Sequence, residues 1–438
     1  MIALTHVCRA WRGVFISRSS LWTELDCVDA DKTLTYIERS KSSPINLSLR
    51  PYREYDLSPD GPFFQITPNA IGRLKSLFIN VAPWDLESVV ANHLSHPAPF
   101  LERMVVDGNP GAELDNPVLA PMLFDGDLSS LRELYLQSVD TKLPWKNMAN
   151  LTTFRLAHTS SVSFNQLLDF FENAPLLRQV TLRSSTPTSG AQEGRSVSLP
   201  CLKRMDIADS VPSSLLLNHL LIPVGARLTI EADIRPSPMR DLLPRSLDNL
   251  MNLSDFTTIQ LYDTYLPNLE FSGPNGEVCM AQRTPQLDTT RFLLESLAKF
   301  DISKVQRLEV NSCIFLSSDL PYQALLPMEE LRTLTLNRCN QLHIFTHALD
   351  PSMGSSGVAA CPKLEELVLV PRPDVDPFDL NHVIGMAATR ALRGAKLRTV
   401  RIFDWRPGHE HDLAGILELR KYVWHLEYGP EVGVVDSE

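Results

Sequence analysis

Leu331 to Cys339 reads LRTLTLNRC, and this stretch decides the fold. Leu334 and Leu336 stand two apart, as on one face of a strand, while Thr333, Thr335 and Asn337 take the other face. Leu331 enters the core from the turn before. The same LxxLxL skeleton returns at Leu74, Leu77, Ile79; Leu101, Met104, Val106; Leu131, Leu134, Leu136; Leu151, Phe154, Leu156; Leu177, Val180, Leu182; and Leu202, Met205, Ile207. It continues at Phe256, Ile259, Leu261; Val305, Leu308, Val310; Leu364, Leu367, Leu369; and Leu397, Val400, Ile402. From 74 to 202 the first positions lie 20 to 30 residues apart, and the wide steps, 202 to 256 and 256 to 305, are about two periods.

A unit of this length cannot bury its apolar face alone, so units stack and each gives one strand to a parallel sheet. The expected fold class is therefore α/β, a leucine-rich-repeat solenoid: a curved parallel sheet with outer helices. Three positions after the last apolar residue stand Asn109, Val139, Thr159, Ser185, Ser210, Thr264, Cys313 and Cys339, mostly small polar groups suited to bonding the loop that leaves the strand. Arg372 and Trp405 break that pattern. Leu228 and Ile230 supply a degenerate repeat in the first wide step. Leu266, Leu269 and Phe271 follow Phe256 too closely to be another repeat. Pro267 to Ala281 reads instead as an inserted hairpin turning at Asn275-Gly276.

Amphipathic spacing predicts outer helices at Trp84 to Leu94, Phe164 to Asn173, Ser213 to Leu221, Thr289 to Phe300 and Leu380 to Leu392. Thr186 to Ser198 and Asp350 to Ala360 are loop-like in composition. Before the first repeat, Thr33 to Ser40 reads as a helix with Leu34 and Ile37 inward, followed by an alternating strand at Ile45, Leu47 and Leu49. His409 to Tyr428 reads as a closing helix and strand, and residues 431–438 as an acidic tail.

A formal charge of -11 and a pI near 5.5 argue against general binding to nucleic acid or an anionic membrane, which needs a Lys and Arg excess. The seven cysteines are scattered without a CxxC pair, the pattern of reduced intracellular thiols. Arg9 and Arg12 interrupt the first apolar run, so no signal peptide is read there. Leu215 to Ala226 is too short to span a bilayer. The expected location is intracellular, in cytoplasm or nucleus or both.

Residues 1–28 hold Leu4, Val7, Cys8, Trp11 and Phe15 at helical spacing, then a second turn from Ser19 or Ser20 toward Leu21 and Trp22. The run VCRAW with LW about ten residues later, carried by Leu4, Val7, Cys8, Trp11, Arg12, Leu21 and Trp22, resembles the second half of an F-box, as in fungal F-box proteins that continue into degenerate leucine-rich repeats. The LPxE-like opening and first helix of that motif do not precede it here. The resemblance implies a partial F-box over 1–28, repeats over 29–430, docking of a Skp-type adaptor through Leu4, Val7, Cys8, Trp11, Leu21 and Trp22, and through the adaptor a cullin-RING ubiquitin ligase. On its own chemistry the segment also suits a helical cap on the first repeat.

His343 and His347 share HIFTH without the Glu of a zinc protease helix, and His409-Glu410-His411 reads as a solvated turn, so no metal is expected. No GxGxxG, Walker loop or GxSxG elbow is present, and neither a cofactor nor catalysis is expected. Binding remains. Tyr135, Arg155, Arg183, Tyr262, Arg307 and Arg401 flank the inward pairs and face the concave side, where aromatic and Arg side chains favour a protein substrate. The expected function is the substrate receptor of a ubiquitin ligase. A repeat scaffold without ligase recruitment is the alternative, and a loop-built hydrolase or metal enzyme is a third.

Overall fold

The computed structural model describes residues 8–26, 29–50, 68–80, 94, 96–108, 118–119, 124, 128–141, 148–159, 162–184, 194–208, 213–232, 242–244, 246–253, 255–263, 267–282, 293–294, 296–297, 300–313, 319–352, 360–372, 378–403 and 410–429. Two compact units divide the chain, Met1–Pro223 and Val224–Glu438, where the sequence reading has one array over 29–430. Both are α/β and built on mostly parallel ladders.

The first unit opens with α1 (Arg9–Ser17) and a 3-10 turn at Ser19–Trp22, then β1 (Glu24–Leu25), α2 (Ala30–Ser40) and β2 (Ile45–Leu49). The repeat strands follow: β3 (Leu74–Asn80), β4 (Arg103–Asp107), β5 (Glu133–Gln137), β6 (Thr153–Ala157), β7 (Gln179–Arg183) and β8 (Arg204–Ala208). Each pairs in parallel with the next, in chain order from β1 to β8. The register matches repeat to repeat: Leu77, Met104, Leu134, Phe154, Val180 and Met205 are successive Cα partners, and all are fully buried.

The second unit holds β9 (Arg227–Ala232), β10 (Thr258–Tyr262), β11 (Asn268–Gly273), β12 (Gly276–Gln282), β13 (Arg307–Asn311), β14 (Thr333–Asn337), β15 (Glu366–Val370), β16 (Thr399–Phe403) and β17 (His425–Gly429). From β10 through β13 to β17 the neighbours are parallel. The hairpin read from Asn275-Gly276 is present. Gly273 pairs with Gly276 across a two-residue turn, β11 lies antiparallel to both β12 and β10, and β12 runs parallel to β9. Gly276 has φ +143, and a Cβ there would stand 2.7 Å from the Ala226 carbonyl oxygen, so the turn admits only glycine. Leu269 and Phe271, excluded as a repeat, are the buried face of β11.

A common device ends the strands. Ser138, His158, Ser184, Ser312 and Arg338, each one residue past a strand, take φ between 44 and 57. Each N–H bonds the carbonyl that closes the following strand: Ala157, Arg183, Ala208, Asn337 and Val370 respectively. The inward position beyond it is buried at Val139, Thr159, Cys313 and Cys339, and the Cys339 thiol lies 3.3 Å from the Val310 carbonyl oxygen.

Helices α3 (Phe164–Asn173) and α7 (Leu380–Leu392) have the expected bounds. Ser163 and Gln166 form a capping box on α3, whose Phe164, Leu167, Leu168, Phe170 and Phe171 are buried. The helix read over 213–221 is shorter: α4 (Ser213–Asn218) stops before Leu220–Leu221, which pair as a strand with Val197–Ser198. Three helices escaped the sequence reading, a short one at Pro68–Ile71, α5 (Asp319–Leu325) and α6 (Leu342–Ala348), each under two full turns. The closing helix α8 (Glu410–Tyr422) and β17 are as expected. In α2 the inward face is Thr33, Tyr36 and Ser40, and Leu34 is 41% exposed, against expectation. The buried stripe follows the Trp22 ring, which meets Tyr36 edge-on at 5.0 Å. The helix expected at 84–94, most of that at 289–300, the loops over 186–193 and 353–359 and the tail over 431–438 lie outside the described residues, as do Asn109, Ser185, Ser210, Thr264 and Trp405.

Arg390 of α7 is fully buried and donates to carbonyl oxygens of Ala360 (3.0 Å) and Cys361 (2.9 Å) and, at 3.4 Å, Leu349. Burial pulls its guanidinium below its ordinary value. Its head ties both flanks of residues 350–360 to the helix. Replacing Arg390 by Ala strands those carbonyls and opens a cavity, and urea unfolding of the variant is expected to show a loss of about 3 kcal/mol.

Candidate functional site

Two surfaces were read from the sequence, and the structure places their residues unequally. In the N-terminal segment α1 contributes no buried residue. Trp11, Val14 and Ile16 are 53%, 54% and 36% exposed, and Trp11 stacks on Phe15 with centroids 5.6 Å apart. Cys8 is exposed at the helix N-cap, and Leu21 is half-buried. Trp22 is different. It is fully buried, its indole N–H donates to the Phe15 carbonyl oxygen at 2.8 Å, and the Arg39 guanidinium covers its ring at 4.4 Å. That side chain has no surface to offer a partner and anchors the segment to α2. Leu4 and Val7 lie outside the described residues.

The residues expected to flank the inward pairs do point to the open face of the ladders. In the first unit Tyr135 and Arg155 are direct partners on β5 and β6, and Arg183 follows on β7, displaced by two residues along the strand. Burial, first, and then Glu133 push the Tyr135 phenol up. In the second unit Tyr262 and Arg307 stand on adjacent strands but at opposite ends of them. Arg401 is held between strands by Glu366 at 2.7 Å and Glu427 at 2.9 Å. The six therefore form one local cluster, around Tyr135, and three separate positions.

What the sequence reading missed lies where the hairpin enters. Across β12, β11, β10 and β13 the middle row of the open face is Cys279, Glu270, Gln260 and Glu309. Glu277 stands diagonal to Glu270, and the neighbouring Glu277 carboxyl, first, and then burial push Glu270 up to about 7. Gln260 donates to Glu309 at 3.0 Å and accepts from the Tyr262 hydroxyl at 3.2 Å. Arg227 reaches Glu277 at 3.3 Å and Arg307 lies 3.9 Å from Glu309. Burial, then the Glu270 charge, lift the Cys279 thiol to about 11, so it stays protonated and unreactive.

One row further along, Asn337 donates to Asn311 Oδ1 at 3.0 Å. Asn311 is only 6% exposed, yet among the described residues its Nδ2 has no partner, nor does Asn268 Oδ1 on the other side of Tyr262. A buried polar group left unmet costs about 1–3 kcal/mol. The signal was in the sequence. Glu309 and Gln260 occupy the same between-pair position as Tyr135, and the Pro274-Asn275 turn, one residue earlier than the sequence reading has it, sets the register that brings Glu270 to Glu277.

His343 and His347 are exposed on α6, and the His343 ring lies 5.4 Å from that of His382 on α7, in a cleft of about 310 Å³ with Asp379 and Arg372. Among the described residues no group of three His, Cys, Asp or Glu is arranged to hold a metal, and no helix is long and apolar enough to cross a membrane. Neither the scan against protein-family models nor the search of curated proteins finds a match to this chain.

The two tryptophans separate by stability. Trp22→Ala is expected to cost about 4 kcal/mol in denaturant unfolding and Trp11→Ala less than about 0.5 kcal/mol. The carboxyl pair sets a pH dependence. With its value raised from 4.5 to about 7 in the folded chain, Glu270 contributes stability that is complete below about pH 4.5 and lost as pH rises through about 7. Melting temperatures across that window should fall for the native chain and fall less for Glu270→Gln.

Proposed function

We propose that this chain is a protein-interaction array of the F-box and leucine-rich-repeat kind, a substrate receptor for a cullin-RING ubiquitin ligase. The observation that carries the reading is α1. A helix with no buried residue that presents Trp11, Val14 and Ile16 to solvent spends exposed apolar area that folding of this chain does not recover. A Skp-type adaptor seated on that face would recover it, with Trp11 as the anchor. Cys8 and Leu21 border the contact, and Trp22 supports it from the core.

The open faces of the ladders would hold the protein substrate, as rigid strands present half-exposed side chains in fixed rows. Tyr135, Arg155 and Arg183 are one such group. The role is proximity: α1 holds the ligase, the open faces hold the substrate, and the other subunits transfer ubiquitin. No covalent step falls to this chain. A scaffold that assembles partners without the ligase shares the open faces but makes no use of α1.

Co-purification with a purified Skp-type adaptor tests it. The native chain is expected to retain the adaptor, and Trp11→Ala to weaken retention at least about tenfold while melting like the native chain. Retention unaffected by Trp11→Ala, or none by the folded native chain, sinks the ligase reading and leaves the scaffold.

A further inference from the structure

The repeats of the first unit enter strands β3 to β8 through one row of residues, Lys75, Glu102, Arg132, Thr152, Arg178 and Lys203, each directly after the buried leucine that opens its repeat. The backbone fixes their order. The carbonyl oxygen of Lys75 accepts from the Glu102 N–H, that of Glu102 from Arg132, that of Arg132 from Thr152, that of Thr152 from Arg178 and that of Arg178 from Lys203. Neighbours in such a row stand about 4.8 Å apart. Four of the six are basic and one is acidic, in a chain whose formal charge is -11, so the row runs against the charge of the whole. Its acid is already matched, since Glu102 lies 3.7 Å from Lys75. In the adjoining row Arg103 has Glu133 and Arg204 has Asp206. Arg132, Arg178 and Lys203 are exposed and have no acid within ion-pair distance among the described residues. The corresponding row of the second unit differs, for there Arg332 stands 3.9 Å from Glu365.

Apolar surface lies on the same edge. Phe100 and Leu176, each directly before an opening leucine, are 61% and 44% exposed. With Pro44, Lys75, Arg132 and Thr152 they line a groove of about 490 Å³. From Thr152 the row continues past the groove to Arg178 and Lys203. Apolar walls beside an unmatched positive rim are complementary to a segment that carries large apolar side chains and carboxylates together.

We propose that this groove is an interaction surface for an acidic segment of a partner protein, its apolar side chains on Phe100 and Leu176 and its Asp or Glu carboxylates on Arg132, Arg178 and Lys203. From Arg132 to Lys203 the row spans about 14 Å, the length of about four residues of extended chain. Nucleic acid matches less well. A phosphate strand longer than the row runs on to a chain of charge -11, and its backbone makes no use of Phe100 and Leu176. The surface uses neither α1 nor the open faces, and it stands whether or not the ligase reading does.

Fluorescence anisotropy on the full chain, at about 0.15 M salt so that distant charges are screened, tests the proposal. The labelled probes are a peptide of about ten residues made of glutamates with two interspersed leucines, the same peptide with serine for leucine, the same with lysine for glutamate, and a strand of about ten thymidines. The first is expected to bind at least about tenfold more tightly than any of the others. Arg132→Gln, Arg178→Gln and Lys203→Gln should each weaken it about threefold, and the triple variant about thirtyfold. Phe100→Ser should weaken it about tenfold. A triple control with the same loss of charge in the second unit, Arg332→Gln, Lys363→Gln and Arg398→Gln, should weaken it less than about threefold. All the substituted side chains are exposed, melting curves confirm folding, and the single variants serve if a triple variant is not folded.

No binding of the glutamate-leucine peptide, or an equal loss in the triple control, overturns the proposal. Equal binding of the serine peptide also overturns it, leaving a general attraction to anions, and tighter binding of the thymidine strand makes the row a nucleic-acid site instead. Adaptor retention through α1 is a separate measurement, so the loss of one reading leaves the other standing.

Discussion

Each strand of the parallel ladders buries two alternate side chains under the sheet, and no strand can do this without its neighbours. Leu334 and Leu336 are fully buried only because Leu308 and Val310 lie on one side of them and Leu367 and Leu369 on the other. Burying a leucine this way contributes about 1.5–3 kcal/mol, while the strand alone would leave it in water. The register must therefore match from one strand to the next. The turn past each strand enforces this: a residue such as Ser312 or Arg338 accepts a left-handed backbone, which costs roughly 1 kcal/mol outside glycine, so that its N–H can reach the next strand's last carbonyl.

With the inward positions committed to apolar side chains, variation is confined to the open face, and there neighbouring rows carry complementary charge. Arg103 meets Glu133 on the next strand, Arg227 meets Glu277, and Arg401 joins Glu366 to Glu427. Pairs this exposed are worth about 0–1 kcal/mol, so they support register more than stability. Against that background Glu270 and Glu277 are the exception, like charges brought together by the inserted hairpin. An insertion of two antiparallel strands keeps the buried face continuous, since Leu269 and Phe271 face Leu261 and Ile259. It resets the open face, because the chain that enters comes from a different sequence context.

The repeat strands were legible because their signal is a spacing that recurs, and recurrence survives substitutions such as Met104 or Phe154 for leucine. The hairpin was legible because Asn275-Gly276 allows few other conformations. Short helices were not: Asp319–Leu325 and Leu342–Ala348 give too few turns for a period to emerge. Leu34 was misplaced because periodicity ranks side chains by hydropathy, whereas Thr33 and Ser40 are buried with their hydroxyls bonded to carbonyl oxygens of the preceding turn. On the open face, choosing aromatic and Arg side chains by type passed over Glu270 and Asn311. Their significance lies in what stands beside them, which only the register supplies.

The N-terminal segment carries the same lesson to the level of single residues. Trp11 and Trp22 belong to one short motif and look equivalent in the sequence, yet one is half in solvent and the other has none of its surface there. The difference follows from chain geometry. Trp22 ends a 3-10 turn that brings it under α2, where Phe15 accepts its N–H, Arg39 covers its face and Tyr36 meets its edge. Trp11 sits in the first turn of α1, half in solvent, and stacks on Phe15. A motif of this sort works as a lever. The buried indole fixes the direction in which α1 leaves the first repeat, and the exposed one is what that direction presents. Losing Trp22 would undo the packing beneath α2, whereas losing Trp11 would change only the exposed face of α1.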